Sequence, residues 1–253
     1  MRAVDNMSVL VTGGGSGIGE ATAWHFAARG ARVTITGRRK DRIEAVAQSI
    51  GPLCRAVVGD VTVNADREAM LAAAVEHGGK LDVLVSNAAN MYRQAVGAYT
   101  EDFLKEAFNT NVISGMMLSS MAVPLLEKTR GAIIFLGSIH NRRAYPGASP
   151  YAATKAAVEG LTRVMAAELG RRQIRVSCVL PGAVSTELNL RAGLFTAEQS
   201  EARYASVAPD HALARIGTVG EIAEAIEYLV RAEWVTGVAL EVDGGLGLGV
   251  SNF

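Results

Sequence analysis

Residues 12–19 read Thr12-Gly13-Gly14-Gly15-Ser16-Gly17-Ile18-Gly19 and connect a short apolar run, Ser8–Thr12, with a segment of helical periodicity, Glu20–Arg29. Glycines let the chain turn tightly and let its backbone approach a pyrophosphate closely. The first turn of the helix adds free N–H groups and the positive end of the helix dipole. A glycine loop between a strand and a helix therefore predicts the phosphate-binding turn of an α/β domain.

Short apolar runs alternate with helix-period segments along the rest of the 253-residue chain. This alternation is typical of βαβ units, whose right-handed crossovers place helices on both faces of a parallel sheet. No linker divides the chain, so residues 1–253 are predicted to form a single doubly wound (Rossmann) α/β domain with a seven-stranded, mostly parallel sheet. The predicted strands are Ser8–Thr12, Ala31–Thr36, Ala56–Gly59, Leu81–Ser86, Ala132–Leu136, Arg175–Leu180 and Val238–Val242. The predicted helices are Glu20–Arg29, Lys40–Ile50, Asp66–Val75, Thr100–Lys128 with a bend near Gly115, Pro150–Leu169 and Val219–Val230.

The composition excludes several classes of protein. The 25 Lys and Arg balance the 25 Asp and Glu, so neither nucleic acid nor an anionic membrane is an expected partner. Two cysteines, Cys54 and Cys178, cannot form a disulfide framework and fit a reducing compartment. No apolar run approaches the roughly 18 residues that a membrane span needs, and the N-terminus lacks the apolar core of a signal peptide. We therefore expect a cytoplasmic protein.

The end of the second predicted strand bears on the choice of nucleotide. In doubly wound folds an acidic residue at this point, about 20 residues after the glycine loop, binds the ribose 2′-hydroxyl. Here the position holds Gly37, and Arg38 and Arg39 follow it. A guanidinium pair suits a 2′-phosphate by charge and by geometry, so NADP(H) is favoured over NAD(H). The alternative is that both arginines are solvated residues at the start of a helix.

A hydroxyl, a phenol and an amine form the candidate catalytic group. Tyr151 and Lys155 stand four residues apart in a predicted helix, so both side chains lie on one face. A nearby ammonium is expected to lower the tyrosine pKa from its free value of about 10. Ser138 follows the strand Ala132–Leu136, at the edge of the sheet where ligands of open α/β sheets bind. Its hydroxyl can hold a carbonyl oxygen, or else it caps the backbone at the strand end.

These features resemble the short-chain dehydrogenase/reductase family, in its single-domain branch of about this length. The glycine loop is similar to the family's Thr-Gly-x-x-x-Gly-x-Gly motif, and Asp60-Val61 is similar to its adenine-contacting pair. Ser86 and Ala89 depart from the family's Asn and Gly, and a methyl group at Ala89 can crowd the backbone near the nucleotide. The further matches follow in family order: Ser86-Asn87-Ala88-Ala89 after the fourth strand, Asn111 in the long helix, the group Ser138, Tyr151 and Lys155, Pro181–Thr186 after the sixth strand, and Val242–Gly245 at the end of the last strand.

The resemblance implies hydride transfer between a nicotinamide and a carbonyl/alcohol pair. It implies that Tyr151 is the general acid/base, that Ser138 holds the carbonyl oxygen, and that Lys155 lowers the Tyr151 pKa and binds the ribose hydroxyls. Asn111 would position a relay water. The implied catalytic residues are Asn111, Ser138, Tyr151 and Lys155, and no metal site is expected. The implied nucleotide-binding residues are Gly13, Gly15, Ser16, Gly17, Ile18, Gly19, Arg38, Arg39, Asp60, Val61, Asn87, Ala88, Tyr151, Lys155, Pro181, Gly182, Val184 and Thr186.

The rim of the substrate site is expected to include residues 91–93 and 140–143. Residues 186–215 form a long, polar, weakly periodic segment that we interpret as a substrate lid. Arg93, Arg142 and Arg143 either bind an anionic substrate or form a solvated rim or a subunit contact. His140, two residues after Ser138, is either a second acid/base or a loop histidine.

Two other functions fit parts of this pattern. One is an NAD-linked alcohol or polyol dehydrogenase of the same fold, and the other is a nucleotide-sensing module without turnover. The expected substrate is a small-molecule carbonyl or alcohol, such as a 3-oxoacyl thioester, ketone, sugar or polyol.

The helices Thr100–Lys128 and Pro150–Leu169 have small faces suited to pairing, and the resemblance implies a homodimer or homotetramer. The Gly-rich tail that ends in Ser251-Asn252-Phe253 either packs across a subunit interface or frays.

Overall fold

The computed structural model describes residues 1–249, apart from the side chain of Arg191, so the tail Ser251-Asn252-Phe253 lies outside the described residues. Seven parallel strands form one sheet in the order β3-β2-β1-β4-β5-β6-β7. The predicted doubly wound fold is confirmed, and the predicted strand ends differ by no more than two residues. The strands are β1 Ser8–Thr12, β2 Arg32–Gly37, β3 Cys54–Val58, β4 Val83–Ser86, β5 Ala132–Leu136, β6 Arg175–Pro181 and β7 Ala239–Val242.

Helices cover both faces of the sheet. Successive residues of a strand point to opposite faces of the sheet. Val9 and Val11 therefore pack with the helices over residues 17–27, 40–50 and 219–231, whereas Leu10 packs with the helices over residues 64–78, 114–129 and 149–169. Both layers are apolar and buried, which is why the strands appear in the sequence as continuous apolar runs rather than alternating ones. The helices are α1 Gly17–Ala27, α2 Lys40–Ile50, α3 Asn64–Gly78, α4 Glu101–Phe108, α5 Ser114–Thr129, α6 Ser149–Leu169, α7 Leu188–Arg191, α8 Ala197–Val207 and α9 Val219–Arg231.

The helix predicted over Thr100–Lys128 is divided. A π-helical turn, Asn109–Ile113, separates α4 from α5, so the irregularity comes before Gly115 rather than at it. The reason is tertiary: the side chain of Asn111 in this turn bonds to the backbone of Asn90. Single π turns within helices are often found at functional sites.

The predicted lid segment, residues 186–215, contains the two short helices α7 and α8. Thr196 and Gln199 form a reciprocal capping box at the start of α8. Ser200 is its one buried residue among those described, so the helix has no apolar stripe that the sequence pattern could reveal. Across residues 1–249, no helix combines the length and the apolar character that a membrane crossing requires.

Candidate active site

A cleft opens at the carboxyl ends of the central strands, as expected for a ligand site in an open α/β sheet. It runs from the glycine loop, past the end of β5, to the helix α8. Four of the predicted catalytic and nucleotide-binding residues do not line it: Gly15, Gly19, Arg39 and Asn111. The predicted residues of these two kinds that line it are Gly13, Ser16, Gly17, Ile18, Arg38, Asp60, Val61, Asn87, Ala88, Ser138, Tyr151, Lys155, Pro181, Gly182, Val184 and Thr186. Of the predicted rim, residues 91–93 and 140–143, Met91 and His140 line it and the other five do not.

The glycine loop forms a close turn that leaves little room for side chains. Gly13 and Gly17 have φ angles of +67° and +58°, which strain any residue with a Cβ. A Cβ on Gly19 would lie 2.3 Å from the carbonyl oxygen of Gly13. Gly19 therefore acts by holding the loop closed rather than by lining the cleft. The start of α1 at Gly17 and the bare backbone beside it fit the pyrophosphate of a dinucleotide.

Asn87 ties the glycine loop to the end of β4. Its amide Nδ2 donates hydrogen bonds to the carbonyl oxygens of Thr12 (2.8 Å) and Gly13 (3.2 Å). The Thr12 hydroxyl in turn accepts from the backbone N–H groups of Asn87 and Ala88, both at 3.0 Å. The first contribution of Asn87 is therefore to hold the wall of the cleft in place.

The two arginines after β2 point in different directions. Arg38 lines the cleft, and its Nη1 lies 3.6 Å from Oδ2 of Asp60. Burial opposes ionisation of Asp60, but hydrogen bonds from Thr62 and the charge of Arg38 outweigh it and lower the pKa of this carboxyl. Arg39 does not itself line the cleft; its Nη2 donates to the carboxylate of Glu187 at 3.1 Å and to Ser16 at 3.2 Å, two residues that do line it. The expected guanidinium pair is therefore reduced to Arg38 at the cleft wall.

Ser138, Tyr151 and Lys155 meet at the end of β5. Tyr151 and Lys155 lie one turn apart on α6, as predicted, and their exposed fractions are 5% and 3%. Ser138 and Tyr151 both line the cleft, and His140 contacts both of them. Lys155 donates from Nζ to the carbonyl oxygen of Leu136 at 2.6 Å, and Nζ lies 5.7 Å from the centroid of the Tyr151 ring.

Burial controls the protonation of this group. It raises the pKa of Tyr151 to about 12, against a smaller opposing effect of the hydrogen bond with Ser138. It also lowers the pKa of Lys155 to about 8. The expected lowering of the Tyr151 pKa by Lys155 is therefore not found, because desolvation of the phenolate dominates. Near pH 7 both residues carry their protons.

Asn111 does not line the cleft but supports its wall through buried hydrogen bonds. It is buried in the π turn, and its Nδ2 donates to the Asn90 carbonyl oxygen (3.0 Å) and to the Thr154 hydroxyl (3.1 Å). Its Oδ1 accepts from the Asn90 backbone N–H at 2.9 Å. Thr154 donates to the carbonyl oxygen of Tyr151. The Asn111 amide thus connects the loop after β4 to α6; these bonds use both Nδ2 hydrogens and one of the two lone pairs of Oδ1, and the relay water stays a prediction.

His140 lies against the catalytic group. Its Nδ1 is 3.0 Å from Oγ of Ser138, and its ring packs edge-on against Tyr151 and beside Tyr145. Burial, with smaller contributions from the charges of Arg93 and Arg203, lowers its pKa to about 4, so the ring is neutral near pH 7. Tyr145 and Arg203 also line the cleft, although no sequence motif marks them.

Arg142 and Arg143 are engaged elsewhere. Arg142 donates to Glu159 at 2.6 Å and to Glu241 at 2.9 Å, which connects α6 to β7. Arg143 forms an ion pair with Asp210 at 2.9 Å. Their partners lie 17 to 99 residues away in the sequence, so the pairing was not visible there. The expected anion site of Arg93, Arg142 and Arg143 is therefore not assembled.

Comparisons with known proteins agree with this geometry. A family model described as enoyl-(acyl carrier protein) reductase matches residues 13–247. The chain is 35% identical over 252 residues to glucose 1-dehydrogenase of Gluconobacter oxydans, in a match that covers 95% of this chain and 91% of that protein. A short-chain dehydrogenase/reductase of Caenorhabditis elegans, solved with cofactor, has a TM-score of 0.92 at 29% identity and covers 99% and 98% of the two chains. The 3-ketoacyl-(acyl-carrier-protein) reductase of Brucella melitensis, complexed with NADH, has a TM-score of 0.87 at 30% identity and covers 96% and 99%.

Proposed function

This chain belongs to the short-chain dehydrogenase/reductase family and is an oxidoreductase that uses a nicotinamide cofactor, and on this premise we propose that Tyr151 is its general acid/base. The observation that supports the proposal is the convergence of Ser138, Tyr151 and Lys155 in the cleft beside the glycine loop. A nucleotide-sensing module would need the loop but not this buried group.

The protonation of the site favours reduction of a carbonyl. When bound, the nicotinamide supplies the hydride. Tyr151, with its pKa raised to about 12, holds its proton near pH 7 and donates it to the carbonyl oxygen. Ser138 holds the same oxygen with its hydroxyl. Lys155, whose pKa is about 8, is mostly protonated at pH 7 and can restore the proton to Tyr151.

We propose that the cofactor is NADP(H) rather than NAD(H). The position that reads the ribose holds Gly37 instead of an acidic residue, and the Arg38 guanidinium lies at the cleft wall beside it. Asp60 and Arg38 are both part of this wall, so a 2′-phosphate would compete with the Asp60 carboxylate for Arg38. An NAD-linked alcohol or polyol dehydrogenase is the second candidate, and the pairing of Arg38 with Asp60 is the observation in its favour.

Fluorescence titration with NADPH and NADH separates these functions. We expect NADPH to bind at least about tenfold more tightly, which corresponds to about 1.4 kcal/mol. Arg38→Leu should remove this difference, whereas Arg39→Leu should keep most of it, because the Arg39 side chain is paired with Glu187 and does not itself line the cleft. Tighter binding of NADH would support the NAD-linked enzyme. Binding of neither nucleotide to the folded protein would refute the proposed function.

We further propose that the whole chain is one catalytic domain and that residues 186–215 close over the substrate. Leu188, Arg203 and Tyr204 support this role because they line the cleft from α7 and α8.

We also propose a cytoplasmic homo-oligomer, a dimer or a tetramer. Apolar side chains exposed on the π turn, α5 and α6 support association, since such surfaces are commonly covered by partner subunits; they are Ile113, Met116, Met117 and Val164. Light scattering of the wild type and of Met117→Glu would detect the association and its loss.

A further inference from the structure

Two guanidinium groups near the substrate end of the cleft have no carboxylate partner among the side chains of residues 1–249. Arg203, on α8, lines the cleft, and its Cζ lies 5.5 Å from the centroid of the Phe195 ring. Arg93, in the loop after β4, is held by a hydrogen bond from Nη2 to the Pro146 carbonyl oxygen at 2.7 Å. Both contacts fix the position of a cation without neutralising its charge.

Both side chains lie near Tyr145, whose ring stacks on His140. Arg203 lines the cleft together with Tyr145. Arg93 is not among the lining residues, but the Pro146 carbonyl to which it donates directly follows Tyr145. Burial and the charge of Arg203 both lower the pKa of Arg93. The same two guanidinium groups act on His140, whose Nδ1 is 3.0 Å from Oγ of Ser138. Two like charges so placed repel each other, and an anion between them would relieve the repulsion.

The acidic groups at this part of the cleft have other partners. Glu187, which lines the cleft, is paired with Arg39 at 3.1 Å. Asp210 and Asp243 both influence Tyr145, which stacks on His140. Asp210 is paired with Arg143 at 2.9 Å. Asp243 accepts hydrogen bonds from the backbone N–H groups of Gly245 and Gly247. The positive potential of Arg93 and Arg203 is therefore available to a ligand.

We propose that Arg93 and Arg203 bind a carboxylate of the substrate, so that the substrate class is an oxo acid and its product the corresponding hydroxy acid. This inference rests on the proposed function, because the ketone of the same molecule must reach Ser138 and Tyr151. Arg93 follows a central strand, whereas Arg203 belongs to the lid segment. A carboxylate held by both would therefore connect the lid to the body of the domain while the ketone lies at Tyr151.

Calorimetric titration tests the site without requiring turnover. The probes are 3-oxobutanoate and 4-oxopentanoate, each compared with its methyl ester, which keeps the ketone and removes the charge. They are added to the protein saturated with the oxidised nucleotide that binds more tightly, NADP⁺ or NAD⁺. We expect at least one acid to bind about tenfold or more tightly than its ester, a difference of about 1.4 kcal/mol.

Matched variants assign the effect to the two arginines. Arg203→Met and Arg93→Met should each weaken binding of the acid about tenfold and change binding of the ester by less than about twofold. Arg171→Met is the control. Arg171 is exposed and precedes β6, so it lies at the amino ends of the parallel strands, whereas the cleft lies at their carboxyl ends. Arg203→Glu supplies a second test on the exposed lid, where charge reversal should favour the ester over the acid.

The possible outcomes separate the inference from the proposed function. Equal binding of acid and ester, binding of neither, or an acid preference that survives both Met variants would overturn the anion site. In each of these cases normal nucleotide binding would leave the oxidoreductase function intact. Loss of nucleotide binding in the wild type would instead refute the proposed function itself.

Discussion

Replacing Lys155 with Met is expected to stabilise the protein while abolishing its activity. Lys155 is an ammonium buried to 3% exposure, and burial lowers its pKa from 10.5 to about 8. The difference between these pKa values corresponds to about 3 kcal/mol, which the folded state loses by keeping the charge at pH 7. Met has a similar length, so it fills the space without that cost. The Leu136 carbonyl oxygen loses its donor, at a cost of about 1 kcal/mol.

The net expectation is a gain of about 2 kcal/mol at pH 7, or a rise in Tm of roughly 4–8 °C for a chain of this size. The gain depends on pH in a definite direction. Between pH 8 and 10.5 the native state has released the Lys155 proton while the unfolded state still binds it, so wild-type stability rises with pH in this window. Lys155→Met lacks that contribution but keeps the loss of about 1 kcal/mol at the Leu136 carbonyl, so the difference between the two proteins should reach zero at about pH 10 and change sign above it.

Urea unfolding at pH 7, 8, 9 and 10 measures the free energy of unfolding of both proteins. Lys128→Met is the control, because Lys128 is exposed on α5 and its replacement should change stability by less than about 0.5 kcal/mol at every pH. A Lys155→Met protein that is less stable at pH 7, or a difference that stays constant up to pH 10, would contradict the role assigned to desolvation.

Two further variants test the glycine loop and the histidine. Gly19→Ala places a Cβ 2.3 Å from the Gly13 carbonyl oxygen, so nucleotide affinity should fall at least about tenfold. Gly160→Ala is the control, because Gly160 lies in open space on α6 and its replacement should leave nucleotide affinity unchanged. Equal affinities of the two variants in fluorescence titration would refute the close turn. His140→Phe keeps the ring contacts and removes the nitrogen beside Ser138, so kcat should fall about tenfold with nucleotide affinity unchanged. Since the His140 pKa is about 4, the wild-type kcat should show no step from this residue between pH 5 and 8, and a step that disappears in His140→Phe would contradict its neutral state.

The sequence was most informative where local chemistry determines structure. The glycine loop, the buried parallel strands and the spacing of Tyr151 and Lys155 are local patterns, and the structure contains all three as expected. The division of the helix at Asn111 was not predictable, because it depends on hydrogen bonds to a loop 21 residues away.

Sequence patterns could not predict which carboxylates pair with the arginines near the cleft. Arg39 pairs with Glu187, which lies 148 residues later in the chain, and does not itself line the cleft. Arg142 and Arg143 are likewise neutralised by distant carboxylates. Arg203 remains available, yet it lies on a helix without an apolar stripe, where no motif marks it. Side-chain charges near a cleft therefore become informative only when their partners are known.

Replacing Tyr151 with Phe tests whether the phenol transfers the proton to and from the substrate oxygen. The measurement is the rate of nucleotide oxidation with a carbonyl substrate, together with nucleotide affinity on the same preparation. We expect kcat to fall by about 10²- to 10⁴-fold, because the ring keeps its packing and only the hydroxyl is lost. Nucleotide affinity should stay within about twofold of the wild type. Turnover at the wild-type rate would contradict the account.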